Sequence, residues 1–125
     1  MAYSRKKSRE LVFRMLFGNG DMDTALVDLD AAAPVGPELE YVNKTYRAAV
    51  DNMAQIDMII SEHSHGYTID RIFKTDLTAL RLGVAELRFT GIDKNVAISE
   101  AVDIAKKYGT EKSGGFVNGV LGSCI

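Results

Sequence analysis

Cysteine, proline and tryptophan are nearly absent from this chain, which has one Cys, two Pro and no Trp in 125 residues. A single cysteine cannot close an internal disulfide. Cys124 stands beside the C-terminus with no histidine near it in sequence, so it reads as a frayed, unimportant thiol and not as a nucleophile. No apolar run approaches the length that spans a bilayer, and the N-terminus lacks the apolar core of a signal peptide. The expected location is the cytoplasm. Scarce proline, together with apolar residues recurring at helical and not alternating spacing, argues for an all-α protein. The length is one domain's worth, 1–125, with a core large enough to stand alone.

Catalytic constellations are missing as well. His63 and His65 are one residue apart, but no cysteine or third histidine completes a ligand set, leaving only carboxylates such as Glu62, so a polar loop is the better reading. Gly109-Thr-Glu-Lys-Ser-Gly114 holds the letters of a phosphate loop in the wrong order and follows no strand. The acidic residues stand where helix caps and solvated faces want them, and no nucleophile has a base at hand. No cofactor or metal is expected. These absences favour binding over catalysis.

What the chain does have is segregated charge. The net charge is −2, yet residues 1–17 carry Arg5, Lys6, Lys7, Arg9 and Arg14 against Glu10, while residues 18–40 carry six acids and no base. That is the pattern of a local basic footprint on an otherwise acidic protein. Three of those cations open a predicted first helix, Ser4 to Phe17, where they oppose the helix dipole. Either the end is merely solvated, or it is a phosphate-binding arm.

Along that helix Leu11, Val12, Met15 and Leu16 form the apolar stripe, and Phe13 pairs with Phe17 at i, i+4. Gly18-Asn-Gly20 ends it, and Asp21 or Asp23 caps a short second helix to about Ala32. A linker, Ala31 to Pro37, leads into helical spacing from Leu39 to Ile60. Some 25 residues is long for one globular helix, so a break is expected near Asn52 to Gln55. Thr68 caps a single turn over Ile69 to Phe73. Thr75 opens a helix carrying Leu77, Leu80, Val84 and Leu87, and Asn95 opens the next.

The last 30 residues organise the rest. Ile98, Ala101, Val102 and Ala105 mark one helix face, Lys106 and Lys107 suit its C-terminal turn, and Gly109 is placed for a left-handed stop. Ser113 then caps a final helix with Phe116, Val117, Val120 and Leu121 on its apolar side. Its four glycines, Gly114, Gly115, Gly119 and Gly122, each cost about 0.5–1 kcal/mol relative to alanine. They serve either close helix packing or the approach of an outside backbone to Phe116.

Val96-Ala-Ile-Ser-Glu-Ala-Val102, Ala105-Lys-Lys-Tyr-Gly-Thr-Glu111 and Phe116-Val-Asn-Gly-Val-Leu121, in this order and spacing, resemble the C-terminal signature of the NusB family of transcription antitermination factors. Arg5-Lys-Lys-Ser-Arg-Glu-Leu11 resembles the family's basic opening helix. Asp70-Arg-Ile72, Asp76 and Leu80-Arg-Leu-Gly-Val-Ala-Glu-Leu87 resemble its central helix, and residues 18–40 are unmatched. The resemblance implies a compact bundle of about seven helices in two small three-to-four-helix subdomains. Here these would be residues 1–66, with 1–17 the basic helix, and 67–125. It implies binding to single-stranded boxA-type leader RNA together with the small-subunit ribosomal protein NusE, in the service of the transcription elongation complex. It further implies an RNA-facing set of Arg5, Lys6, Lys7, Arg9 and Phe116, and a partner-facing pair of Phe17 and Asp76.

Two other readings keep the helices. A NusB-like domain also occurs at the N-terminus of an RNA-cytosine methyltransferase, but the chain reaches Ile125 without a glycine-rich cofactor loop or a reactive cysteine downstream, so this copy is expected to be a binding module. A helical interaction module without RNA affinity is the third, and under any of these readings exposed apolar surface could serve a partner or a homodimer. One departure from the family stands out. Where members often carry Glu-Asp-Ser-His-Lys-Phe, this chain has Glu111-Lys-Ser-Gly-Gly-Phe116, so that an acid becomes Lys112 and a His-Lys pair becomes Gly-Gly. Lys112 is therefore expected to replace the missing lysine as a phosphate contact.

Overall fold

The computed structural model describes residues 3–125. Seven α-helices make up the described fold: α1 (Arg5–Phe17), α2 (Met22–Leu29), α3 (Gly36–Asp51), α4 (Met53–His63), α5 (Lys74–Phe89), α6 (Lys94–Tyr108) and α7 (Ser113–Ser123), with one 3-10 turn at Ile69–Arg71 before α5. No strand occurs among the described residues, as the helical spacing requires.

The axis of the molecule is α5, which packs against α1, α3, α4, α6 and α7. A helix enclosed by others must be apolar nearly all round, and Leu77, Ala79, Leu80, Leu82, Val84 and Ala85 are all buried. At Gly83 an added Cβ would lie 2.6 Å from Leu121 Cδ1 and 3.2 Å from Ala101 Cβ, so the glycine lets α6 and α7 close onto α5. On the other side α4 is tied to α5 by Arg81, whose Nε and Nη2 each donate at 2.8 Å to the Asp57 carboxylate. Besides α5, α4 packs on both α3 and α7.

Ser4 caps α1 by accepting from the Lys7 N–H, and Asp21 caps α2 by accepting from the Thr24 N–H. The long apolar run does break, at Asn52, whose Nδ2 donates back to the Ala48 carbonyl. Elsewhere the ends differ from expectation. The second helix stops at Leu29, short of Ala32, because Asp30 turns left-handed with φ 52°. Asp93, not Asn95, caps α6, its carboxylate accepting from the Asn95 and Val96 N–H groups. Thr75 lies inside α5, and Thr68 directs its hydroxyl to the Asp70 carboxylate and does not cap the 3-10 turn. The core face of α6 is rotated by one residue to Ala97, Ala101, Ile104 and Ala105, leaving Ile98 and Val102 half-buried.

Gly109 is extended, not left-handed, with φ −100° and ψ −152°. Its need for glycine is spatial, because a Cβ would stand 2.7 Å from the Ala105 carbonyl oxygen. Ser113 likewise is no cap. Buried as the first residue of α7, it turns its hydroxyl back to accept from the Thr110 N–H at 2.8 Å. Cys124 is not frayed: it is 6% exposed, its thiol donates to the Val120 carbonyl, and Arg88 Nη2 donates to the Cys124 carbonyl at 2.9 Å. Burial pushes the Cys124 thiol pKa up, away from the reactive thiolate.

Candidate nucleic-acid interface

The basic start of α1 is met by acids from other helices, which offsets its conflict with the helix dipole. Arg5 makes a bidentate pair with Glu38 of α3, at 2.9 and 3.1 Å, and lies over the Tyr41 ring at 4.3 Å. Hydrogen bonds from Arg5, and then from Ser8, hold the Glu38 carboxyl below its ordinary pKa. Lys6 reaches Asp103 at 3.3 Å and Glu100 at 3.5 Å on α6 yet stays well exposed. Lys7 is exposed and has no ion pair among the described residues. Lys107 closes the far side of this α1–α6 groove on Glu10 at 2.6 Å.

Arg9 corrects the expected RNA-facing set. It is 3% exposed, and its guanidinium meets the Glu86 carboxylate of α5 at 2.6 and 3.0 Å and Glu100 at 3.1 Å. Burial by itself would lower the Arg9 pKa, but the bonds and charge of Glu86 outweigh it and raise the value above that of a free arginine. Although Arg9 borders the α1–α6 groove, its guanidinium is already engaged by the two carboxylates. Arg9 lies three and four residues before Val12 and Phe13, on the buried face of α1, and that spacing was the available signal.

Phe116 lies half-buried at the edge of the core, neither wholly inside nor free of it. It lines a groove of about 270 Å³ with Tyr67, Arg71, Ile72, Phe73, Asp76, Thr110 and Lys112. Lys112, at the position preceding α7, is exposed, as is Arg71 across the groove, and neither has an ion pair among the described residues. Cations that make no ion pair, beside a partly exposed aromatic, suit an unpaired nucleotide: phosphate on the amine and guanidinium, base on the ring. The glycines of α7 divide between the two roles considered for them. A Cβ at Gly114 would sit 2.8 Å from the Lys106 stem, so this glycine seats α6 on α7, whereas Gly115, Gly119 and Gly122 face open space.

Phe17 reaches the start of α5 through Lys74, and Asp76 stands two residues further on in the same turn. Phe17 is half-buried, stacks at 6.1 Å on Phe13, and has the Lys74 amine 4.5 Å above its ring. Asp76, in the first turn of α5, is 6% exposed and its Oδ1 has no hydrogen-bond partner among the described residues, although it lines the groove. A buried acceptor left unmet costs about 1–3 kcal/mol, which an incoming donor would recover. Phe73, 67% exposed, lines the same groove. Sequence spacing did not single out Phe73, Arg71 or Lys74. His63, for its part, bonds Ser123 Oγ through Nδ1 at 2.9 Å, and no cluster of three His, Cys, Asp or Glu side chains placed to hold a metal occurs among the described residues.

The NusB family profile matches residues 6–125. The chain belongs to the NusB family. Curated relatives include the transcription antitermination protein NusB of Agathobacter rectalis, 40% identical with 94% of this chain and 96% of the relative aligned, and that of Natranaerobius thermophilus, 39% identical over 94% and 88%. Among solved structures, T. maritima NusB superposes with a TM-score of 0.86 at 33% identity, covering 99% of this chain and 92% of the other. A NusB bound with antitermination factor NusE and dsRNA superposes at 0.82, also 33% identical, over 96% and 94%. The seven helices of this NusB-family protein are thus those of a fold already seen in complex with RNA.

Proposed function

We propose that this protein is a transcription antitermination factor that binds boxA-type leader RNA jointly with the ribosomal protein NusE, acting in the cytoplasm by binding and not by catalysis. The observation that carries the RNA half is the Phe116 groove, where Lys112 and Arg71 are cations without acid partners beside a half-exposed ring. Arg5, Lys6 and Lys7 supply a second set of phosphate contacts, with Lys7 the most available and Arg5 and Lys6 exchanging surface acids for phosphate. Such exposed pairs contribute only about 0–1 kcal/mol each, so the exchange is cheap. The NusE half rests on Phe17, held by Lys74 at the start of α5, and on the unmet Asp76 Oδ1 in the same turn. No helix among the described residues is long and apolar enough to cross a membrane.

The test is a titration of a boxA-type oligomer and a scrambled control, each with and without NusE. The boxA oligomer should bind more tightly, and NusE should widen the difference. Equal, weak binding of both would reduce the interface to electrostatics alone. Replacing Arg5, Lys6 and Lys7 with alanine should weaken binding and flatten its salt dependence, by about 0.7 in slope for each phosphate of the single strand that is no longer neutralised. An unchanged slope removes the arm from the interface.

Lys112 is the second place to probe. It holds the N-cap position of α7, where free backbone N–H groups already favour an anion. Lys112→Asp restores the acid common in the family and should lower RNA affinity at low salt. Affinity equal to the wild type would mean that Lys112 faces solvent only.

A further inference from the structure

We propose that Tyr67 is a second base-stacking residue, and that single-stranded RNA leaving Phe116 continues over Tyr67 into the groove between the end of α4 and α7. The inference rests on the RNA reading above and extends it to Tyr67, a residue outside the sequence motifs quoted above. Tyr67 is 53% exposed, and its ring stands edge-on to Phe116 with centroids 5.4 Å apart and planes at 68°. Two rings so inclined form a corner: a base lying on one presents its edge to the other, and the next base can turn onto the second face.

The segment carrying Tyr67 is built to hold it. Ser64 is 3% exposed, and its hydroxyl donates to the Tyr67 carbonyl at 2.9 Å while the Tyr67 N–H returns to the Ser64 carbonyl at 3.3 Å. Between them the chain turns through two left-handed residues, His65 at φ 38° and Gly66 at φ 91°. A ring fixed by its backbone loses little entropy when a base stacks on it.

Beyond the corner the surface stays open. A groove of about 260 Å³ continues past Tyr67 and Phe116 between His63, His65, Gly115 and Gly119. At Gly115 and Gly119 no atom lies within 4 Å of where a Cβ would be, so the helix backbone itself forms the wall and a strand can lie close against it. Its exposed lining is mostly ring and backbone carbon on which a base can lie, and it joins the Phe116 groove directly because both are lined by Tyr67 and Phe116. That continuity, with Lys112 and Arg71 on the near side, selects nucleic acid as the occupant.

The test compares two single-stranded boxA-type oligomers, a minimal one and one extended by three nucleotides at each end. Wild-type protein should bind the longer more tightly. Tyr67→Ala should lose roughly five- to twentyfold in affinity for the longer RNA, the lower part of the range for one stacked base, and should erase the gain from length. Tyr67→Phe should keep both. Gly119→Gln, which favours the helix but fills the groove, should also erase the gain, so the conclusion survives even if Tyr67→Ala disturbs its loop. If Tyr67→Ala and Gly119→Gln both retain the wild-type gain from length, this inference falls while the RNA reading stands. If the wild type binds neither oligomer, the RNA reading falls and takes this inference with it.

Discussion

Arg9→Ala should destabilise the protein by about 3–5 kcal/mol in urea denaturation, the largest single-site loss expected outside the apolar core. Arg9 and Glu86 are 3% and 1% exposed, and removing the guanidinium leaves Glu86 buried in the last turn of α5 with its two charged bonds gone. Replacing both partners by apolar residues of similar size, Arg9→Met with Glu86→Leu, should recover most of that loss, because neither charge is then stranded. The double variant also checks the correction to the interface. If Arg9 only ties α1 to α5, the folded double variant should bind RNA with an unchanged salt slope. A slope reduced by about 0.7 would return Arg9 to the phosphate-binding set.

This pair shows where reading a sequence stops. Local patterns report what a residue does to its own helix. The Ser4 and Asp21 caps, the break at Asn52 and the Phe13–Phe17 stack all depend on neighbours within a turn or so, and all are present. The partner of Arg9 is 77 positions away, and that of Arg5 is 33 away. No spacing rule links them, so a cluster of like charges reads as a uniform basic arm when its members have three different fates: buried, paired at the surface, and unpaired. The misplaced caps have another cause. Asn95, Thr75 and Ser113 are good capping types sitting just inside their helices, and the residues at the true boundaries are Asp93, Phe73 and Lys112. Two of those three offer no side-chain bond at all, so cap chemistry had nothing to mark.

The candidate interface was legible in the same uneven way. Phe116, Lys112 and Asp76 were within reach because they belong to contiguous motifs or to a visible departure from them. Tyr67 and Phe73, with Arg71 of the Asp70-Arg-Ile72 motif, come to the same groove from the segment between α4 and α5, and only the tertiary fold, through the Tyr67–Phe116 contact, brings that segment to Lys112. The consequence is a division of labour along α5. Its later turns are committed to packing and to the Glu86 ion pair, while its first turn holds the buried Asp76 at the edge of the groove and makes the Lys74–Phe17 contact. A contact made at that turn is therefore carried by the most heavily packed helix of the molecule, which gives both ligands of the proposed complex a rigid support.

Phe116→Ala is expected to reduce RNA affinity by about 1–3 kcal/mol, the contribution of one stacked base. The competing account is that Phe116 matters only as core, and its burial decides how far that account can go. A fully buried phenylalanine loses roughly 3–5 kcal/mol of stability on truncation. Phe116 is half-buried, packed against the core on one side and open to two grooves on the other, so its stability loss should be no more than about half of that. Thermal melts and RNA titrations on the same variant therefore separate the roles. A marked loss of affinity in protein that remains folded at the temperature of the titration assigns the exposed side of the ring to RNA. Conversely, Phe116→Leu keeps most of the apolar packing on the core but removes the flat face a base needs, so it should hold the melting temperature near that of the wild type and still lose affinity. If Phe116→Leu binds RNA as tightly as the wild type, the ring is a packing element, and the phosphate contacts alone carry the interaction.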